Sequence, residues 1–478
     1  MLETTTTTPK DPIMKKSSTS RRDFLKNSAV ASAVPVASFT VPYFAWTEKA
    51  YPNFAKNDRI AVGVIGCGAM GKGDAGRAKF HGADIVAVCD VDSTHTDIAN
   101  KKVADGKADK YSDYRKLLER DDIGVVIVAT PDHWHTRPLI DAIKAGKDVY
   151  CEKPLTLTVG EGELVQKVLA DHPDRIVQVG TQQRSDVVFF LKALALVQEG
   201  RLGKIKRVQC AVGATPATMD YEKTQPPPHL NWDNWLGQTP KVDYIPERCH
   251  NNFRWWYEYS GGKMTDWGAH HVDIARWVIG DEAGDGPVRI TGMATHSVPF
   301  KDGYPTIDNQ YNTALEFNIS CKFSSGVELV IRHDTDNGIL IEGTKGRIFV
   351  NRGKLTGKAV EELENNPLPA DALKKVYKGV EPYTDNKWGW SNHWHQYLDC
   401  VRERREPISD VASHLQAIDL CHMANLCIRL GEPIRADDPT IVKGRPLTWD
   451  PAKRLFVADE QASSFLKRKQ RAGYEIVG

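Results

Sequence analysis

From Arg59 onward, apolar residues fall into short β-branched runs. These runs are separated by stretches in which apolar positions recur every three or four residues. That alternation is the sign of parallel strands joined by crossover helices. The strand runs are "RIAVGVIG" (59–66), "DIVAVCDV" (84–91), "IGVVIVATP" (123–131), "DVYCEKP" (148–154) and "IVQVGT" (176–181). Trp134 to Ala145 reads as one of the intervening helices, with Gly146 as its stop. Residues 51–183 are therefore expected to form an α/β domain with a doubly wound parallel sheet.

Beyond about Arg201 the rhythm changes. Longer runs, "IKRVQCAVGA", "VRITGMATHS", "YNTALEFNIS", "GVELVIRHDT" and "GILIEGTKGRIFVN", alternate apolar and polar residues between turn-rich links. This pattern predicts a large, open, mainly antiparallel sheet with one face covered. The helical stretches near Gly262 to Ile279 and Trp390 to Arg402 are the expected cover, so 184–478 reads as an α+β domain. "EKTQPPPHLNWDNWLGQTP" is expected to be an ordered loop, and Glu361 to Pro369 an exposed insertion.

Ahead of both lies "STSRRDFLK", Ser18 to Lys26, followed by the weakly apolar run Ser28 to Trp46. The order of Arg21, Arg22, Phe24, Leu25 and Lys26 before an acid-free stretch matches a twin-arginine export signal. The run is interrupted by Pro35 and Pro42, which makes it a poor membrane span. Residues 1–50 are accordingly expected to be an export signal and linker that send the protein to the periplasm through the twin-arginine machinery. An uncleaved signal would leave a membrane tether.

Composition narrows the partners. There are 63 basic and 62 acidic residues, a balance that offers nothing to nucleic acid. The nine cysteines include no Cys-x-x-Cys pair and sit largely in apolar runs, where they read as small buried hydrophobes.

"GVIGCGAMGKG" sets Gly66, Gly68 and Gly71 in Gly-x-Gly-x-x-Gly spacing directly after the first strand and at a helix start. The first glycine allows the tight turn, the second lets the backbone approach a pyrophosphate, and the third permits close helix-to-strand packing. Asp90, at the end of the second strand and 19 residues beyond Gly71, is placed to accept from the adenosine ribose hydroxyls. A carboxylate there repels a 2′-phosphate, and no arginine follows in "DVDSTHTD", so NAD is expected over NADP. The expected cofactor-binding set is Gly66, Gly68, Ala69, Met70, Gly71, Asp90, Thr130, Pro131, His135, Glu152 and Lys153.

"DVYCEKPL" places Glu152, Lys153 and Pro154 at the end of a sheet strand, the edge where open α/β sheets bind ligands. "TPDHWHTRPLIDAIKAGKDVYCEKPLTLTVGE" resembles the core signature of the glucose-fructose oxidoreductase, inositol dehydrogenase and MocA family. "GGKMTDWGAHHVDIARWVIG" resembles that family's second signature, with Lys263 standing where the pattern has its third glycine. The resemblance implies a Rossmann domain plus an open-faced sheet domain with substrate held between them. It also implies catalytic roles for Lys153, Asp266 and His270, and a position near the nicotinamide for His135.

Asp266 and His270 are four residues apart, on one face of a helix, so the carboxylate either orients the imidazole or shares a sugar's adjacent hydroxyls with it. His270 suits a general base, Lys153 a donor to the same oxygen, and His271 is the competing base. Arg184, Trp267, His271 and Asp273 are further substrate-side candidates, and Trp232, Trp235, Trp255, Trp256 and Tyr257 a candidate sugar-stacking wall. The "HWH" stretches at 133–135 and 393–395 lack the additional ligands of a metal site, and no metal is expected.

These features predict an NAD-containing oxidoreductase acting on a secondary alcohol of a sugar, glycoside or polyol, with tightly held cofactor and a homo-oligomer formed through the open sheet. An NAD-dependent glycosidase using transient oxidation is the alternative.

Overall fold

The computed structural model describes residues 59–280, 284, 286–384 and 389–478. The twin-arginine stretch lies outside them. Six short strands form the expected parallel sheet: β1 (Ala61–Ile65), β2 (Asp84–Cys89), β3 (Asp109–Tyr111), β4 (Val125–Val128), β5 (Asp148–Cys151) and β6 (Val177–Val179). Their order is β3-β2-β1-β4-β5-β6. The chain winds outward in both directions from the β1/β4 pair, so the loops after β1 and β4 part there and leave a crevice at the sheet's C-terminal edge. Val62, Val64, Val125, Val126, Ile127 and Val128 are buried, as strands covered on both faces require.

The second sheet has 11 strands. Its main path runs Leu355–Thr356, Arg347–Val350, Gly338–Gly343, β7 (Ile205–Ala211), Glu328–Arg332, Ala314–Lys322, Arg289–His296, Asp438–Lys443 and Glu432–Arg435. The β7 pairing with Glu328–Arg332 is parallel and the other pairings along this path are antiparallel. Burial alternates along Ala314–Lys322: Phe317, Ile319 and Cys321 point inward while Glu316, Asn318 and Lys322 remain accessible.

The cover on that sheet differs from expectation. Helix Gly268–Ile279 packs there, and its partner is the helix Val411–Arg429, almost every residue of which is buried. Helix Trp390–Glu403 lies instead on the parallel sheet. Trp394 stacks on Tyr150 with ring centres 4.1 Å apart, and its indole N–H donates to Asp74 Oδ1 at 3.2 Å. Tyr397, Leu398, Cys400 and Val401 join the core around β1 and β4. A segment late in the chain thus completes the first domain. Its periodicity shows an apolar face but not which sheet that face meets.

All nine cysteines are buried and unpaired. The insertion Glu361 to Pro369 is largely exposed, as expected. Among the described residues, no helix is long and apolar enough to cross a membrane.

Candidate functional site

The turn after β1 is built as the glycine spacing requires. Gly66 has φ +89°, and a Cβ there would lie 2.6 Å from the Ala129–Thr130 peptide. A Cβ on Gly71 would lie 1.9 Å from the Gly66 carbonyl oxygen, so any side chain would push helix Ala69–Phe80 off the strand. At Gly68 a Cβ would meet nothing within 4 Å, because that position opens into the cavity. The amides of Ala69 and Met70 belong to the first helical turn, whose N–H groups lack intrahelical acceptors and suit an anion. Lys72 lines the same wall, its ammonium donating to the Cys67 carbonyl at 2.8 Å. Asp90 accepts from the Cys67 amide (2.7 Å) and the Asp92 amide (2.9 Å), and His95 Nδ1 stands 3.4 Å away. Hydrogen bonding to Asp90 raises the His95 pKa above its ordinary value. A phosphate cradle followed by a fixed carboxylate fits NAD.

The cavity that begins here has a volume of about 990 Å³ and continues past Thr130 and Pro131, at the end of β4, to Glu152 and Lys153, at the end of β5. His135 ties those two strand ends together: Nδ1 is 2.7 Å from the Pro154 carbonyl oxygen and Nε2 is 2.8 Å from that of Thr130. Burial pushes its pKa down to about 4, and the neutral ring, with a single N–H, donates to one of these two carbonyls while packing against the other. Glu152 is buried and accepts from Gln182 Nε2 at 2.9 Å. Its carboxyl is raised by burial, with Lys153 offsetting part of the effect. Gly180 makes room for it, since a Cβ there would come 2.5 Å from Glu152 Oε1.

Lys153 Nζ pairs with Asp266 Oδ1 at 2.7 Å and also reaches the Asp266 carbonyl at 3.2 Å. Arg254 Nε approaches the same Oδ1 at 3.5 Å. Burial alone would raise Asp266, but Lys153 and Arg254 hold it at about 2. His270 lines the cavity beside them, and its Nδ1 is buried without a hydrogen-bond partner. Burial, then the charges of Arg352 and Lys153, lower its pKa well below the ordinary imidazole value, so it stands neutral. The imidazole is not oriented by Asp266. The helix breaks at Trp267, between Lys263–Asp266 and Gly268–Ile279, and the carboxylate turns to two cations rather than to an uncharged ring.

Several candidates lie elsewhere. Arg184, expected toward substrate, forms a buried two-pronged pair with Asp273, with Nε to Oδ2 at 2.6 Å and Nη2 to Oδ1 at 2.8 Å. Its Nη1 donates to Ser413 Oγ (2.8 Å) and the Ile408 carbonyl (3.1 Å). Both residues are occupied in tying the Gln182–Ser185 turn to helix Gly268–Ile279, away from the cavity wall. His271 is also fully buried, 3.0 Å from Asn337 Oδ1, and does not reach the cavity, which leaves His270 as the base candidate. Trp267 does line it. Of the expected aromatic wall, Trp235 and Trp255 face the cavity. Trp256 is instead packed under Arg248, 3.9 Å from the ring centre, and the Tyr257 hydroxyl donates to Asn425.

The "HWH" histidines are structural. His133 Nε2 meets the Trp235 carbonyl and His393 Nε2 that of Val179, each at 2.9 Å. A different trio, Asp92, His95 and His250, brings ligand-type atoms within 4.8 Å of one another beside Asp90. No sequence spacing announces it, because Asp92 and His95 stand at the start of helix Ser93–Val103 while His250 follows 155 positions after His95.

The structure adds residues that the sequence reading missed. Arg254, Lys263, Arg352, Trp390 and Tyr474 all line the cavity. Lys263 lies within the second signature but does not read there as a site residue, and the other four lie outside the motifs, so only the fold brings them there.

Two models of one oxidoreductase family match the chain. The first, described as NAD-binding Rossmann fold, covers residues 60–181. The second, described as C-terminal alpha/beta domain, covers 216–476. A myo-inositol 2-dehydrogenase of Thermotoga maritima is 26% identical over 339 residues, which are 68% of this chain and 84% of that protein. An inositol 2-dehydrogenase/D-chiro-inositol 3-dehydrogenase of Shouchella clausii is 38% identical over 246 residues, 50% of this chain and 59% of its own length. The solved aldose-aldose oxidoreductase of Caulobacter crescentus has the same fold. It superposes with a TM-score of 0.54 at 18% identity, covering 77% of this chain and 98% of that one. With both family domains matched in order around one continuous cavity, the chain belongs to the Gfo/Idh/MocA family of NAD-dependent oxidoreductases.

Proposed function

We propose that the protein oxidises a secondary hydroxyl of a sugar, glycoside or polyol. The observation that carries this reading is that Lys153, Asp266 and His270 meet at one end of the cavity whose other end is the Gly66–Gly71 turn and Asp90. NAD, when bound, supplies a nicotinamide able to accept hydride from the carbon bearing that hydroxyl. Lys153 Nζ donates to the hydroxyl oxygen and stabilises the charge that develops there. Asp266 holds the ammonium in place through its 2.7 Å contact. The neutral His270 ring takes the hydroxyl proton. Trp235 and Trp255 offer apolar faces to a sugar ring. Substrates of the inositol dehydrogenases above are consistent with this class.

The product decides between net oxidation and transient oxidation in a glycosidase. Mixing the holoprotein with one equivalent of a glycoside substrate is expected to give a ketosugar with the glycosidic bond intact, together with the reduced-nicotinamide absorbance band. Stoichiometric aglycone release with no lasting change in that band would overturn the oxidoreductase reading.

We further infer export through the twin-arginine route from Arg21, Arg22 and the apolar run behind them. Because free NAD does not await the protein outside the cytoplasm, the cofactor would be loaded before export and held tightly. Arg21→Lys with Arg22→Lys should leave a folded protein in the cytoplasm. Equal periplasmic amounts of variant and parent in fractionated cells would refute the inference.

A further inference from the structure

Arg352 projects from a tight turn that the sequence Asn-Arg-Gly-Lys builds between Arg347–Val350 and Leu355–Thr356. The turn is pinned on several sides. The Asn351 amide donates to the Lys354 carbonyl at 2.9 Å, and Asn351 Oδ1 accepts from the amides of Gly353 and Lys354, each at 2.9 Å. Asn351 Nδ2 also donates to the Asn337 carbonyl at 3.2 Å. The guanidinium is therefore presented by a fixed backbone.

Its side chain is equally constrained. The guanidinium carbon stands 4.7 Å from the Trp267 ring centre and 5.7 Å from that of Trp390. With the Gln183 amide donating to the His270 carbonyl (3.0 Å), its oxygen accepts from Arg352 Nε (3.3 Å). Yet Nη2 is buried with no hydrogen-bond partner, and among the described residues no carboxylate pairs with Arg352. Lys263, lining the same cavity, has no carboxylate within ion-pair distance among the described residues, although its charge acts on Asp266; its ammonium lies 5.5 Å from the Trp255 ring centre. Lys153 and Arg254 share the single carboxylate of Asp266. Four cations thus line the reacting end, against the carboxyl groups of Asp266, Glu152 and Asp132, none of which pairs directly with Arg352. A desolvated guanidinium with an unmet N–H is costly unless a ligand completes it. The cofactor's phosphates belong at the other end, over the helix start at Gly68 beside Lys72.

We propose that Arg352, assisted by Lys263, binds an anionic substituent of the substrate, so that the physiological substrate is an acidic sugar carrying a carboxylate or a phosphate rather than a neutral polyol. The planar N–H fork of arginine matches either group in two-pronged fashion, which an ammonium cannot do. This inference rests on the oxidoreductase reading for the identity of the site, but not on the occurrence of hydride transfer.

Its test uses the NAD-loaded protein with D-glucuronate, glucose 6-phosphate, D-glucose and myo-inositol as probes. Binding is followed by quenching of tryptophan emission, and reduction separately by nicotinamide absorbance. At least one acidic probe should bind ten or more times more tightly than glucose, and the tighter of the two identifies the carboxylate or the phosphate. Arg352→Met should weaken that probe roughly ten- to a hundredfold more than it weakens the neutral probes, and should retain NAD. Arg352→Lys should recover part of the loss. Should Arg352→Met fail to retain NAD, Lys263→Met supports the same comparison. Equal affinity for acidic and neutral probes in the parent, no binding of either acidic probe at millimolar concentration, or equal weakening of both kinds by Arg352→Met would overturn the proposal. The two readings fail separately. An acidic probe that binds tightly but never reduces NAD refutes the oxidoreductase reading alone, whereas reduction by neutral sugars without charge preference refutes only the anionic substrate.

Discussion

His270→Ala should lower turnover by about 10²–10⁴ while the protein still carries its NAD. The expectation follows from where the ring stands. His270 lines the reacting end of the cavity with Lys153, Arg352 and Trp267, and the charges of Arg352 and Lys153 act on its ring. His271 cannot replace it, because that ring is buried against Asn337. Lys153→Ala should cost about 10²–10³, since the donor to the developing alkoxide is lost while Asp266 keeps Arg254 as a partner. Neither residue belongs to the glycine turn or to Asp90, so cofactor released on denaturation should match the parent mole for mole. Single-turnover mixing, read at the reduced-nicotinamide band, isolates the chemical step from product release. The pH dependence carries a further sign. Burial and nearby cations lower the His270 pKa, so the ring accepts a proton at pH values where an ordinary imidazole, near 6.5, would already be protonated. The acid limb of kcat/KM should therefore lie below that of a free histidine. A variant that keeps full single-turnover rate, or that loses NAD together with activity, would show that His270 serves the fold rather than the reaction.

What could be read without coordinates was set by how local the signal is. The glycine turn, Asp90 and Glu152–Lys153 each sit at a strand end, and a parallel sheet has only one edge at which those ends open. Residues read from consecutive strands therefore converge by construction. β3 went unread because Asp109 and Lys110 are exposed on an edge and leave no apolar run. The strands Glu432–Arg435 and Asp438–Lys443 were hidden in the same way. Helical spacing misled at Asp266, because the turn at Trp267 separates it from the helix that carries His270. Asp273, named as a substrate-side candidate, lies on a helix buried on nearly all sides, where its carboxylate meets Arg184. Arg352 had no signal at all. An Asn-Arg-Gly-Lys turn reads as an exposed hairpin end, and only the packing of its sheet against the first domain places the guanidinium between two indoles.

The same correction yields the largest expected effect on stability. Asp273→Ala should destabilise the protein by about 3–5 kcal/mol, because it leaves the Arg184 guanidinium buried without its counter-charge. Both side chains are almost wholly inaccessible, so solvent screening offers no relief. Ser413 Oγ and the Ile408 carbonyl would still accept from Nη1, but Nε and Nη2 would lose both of their partners. Replacing the two residues together, Arg184→Leu with Asp273→Leu, should cost less than the single change, since the uncompensated charge disappears with the pair. The pH dependence has a definite sign. Burial alone would raise the Asp273 carboxyl, but Arg184 and then His414, whose Nδ1 is 3.6 Å from Oδ1, hold it below the ordinary carboxylate value. A depressed folded-state pKa contributes stability that is fully present above the unfolded value, near 3.9, and is lost as pH falls through the folded one. The gap between parent and Asp273→Ala should thus be widest at neutral pH and narrow in acid. Urea unfolding of the two proteins, each with NAD bound, at pH 7 and again at the lowest pH where both remain folded, measures that gap. A difference below about 1 kcal/mol at pH 7, or one that grows toward acid, would mean that the Arg184–Asp273 pair does not anchor helix Gly268–Ile279 as this geometry requires.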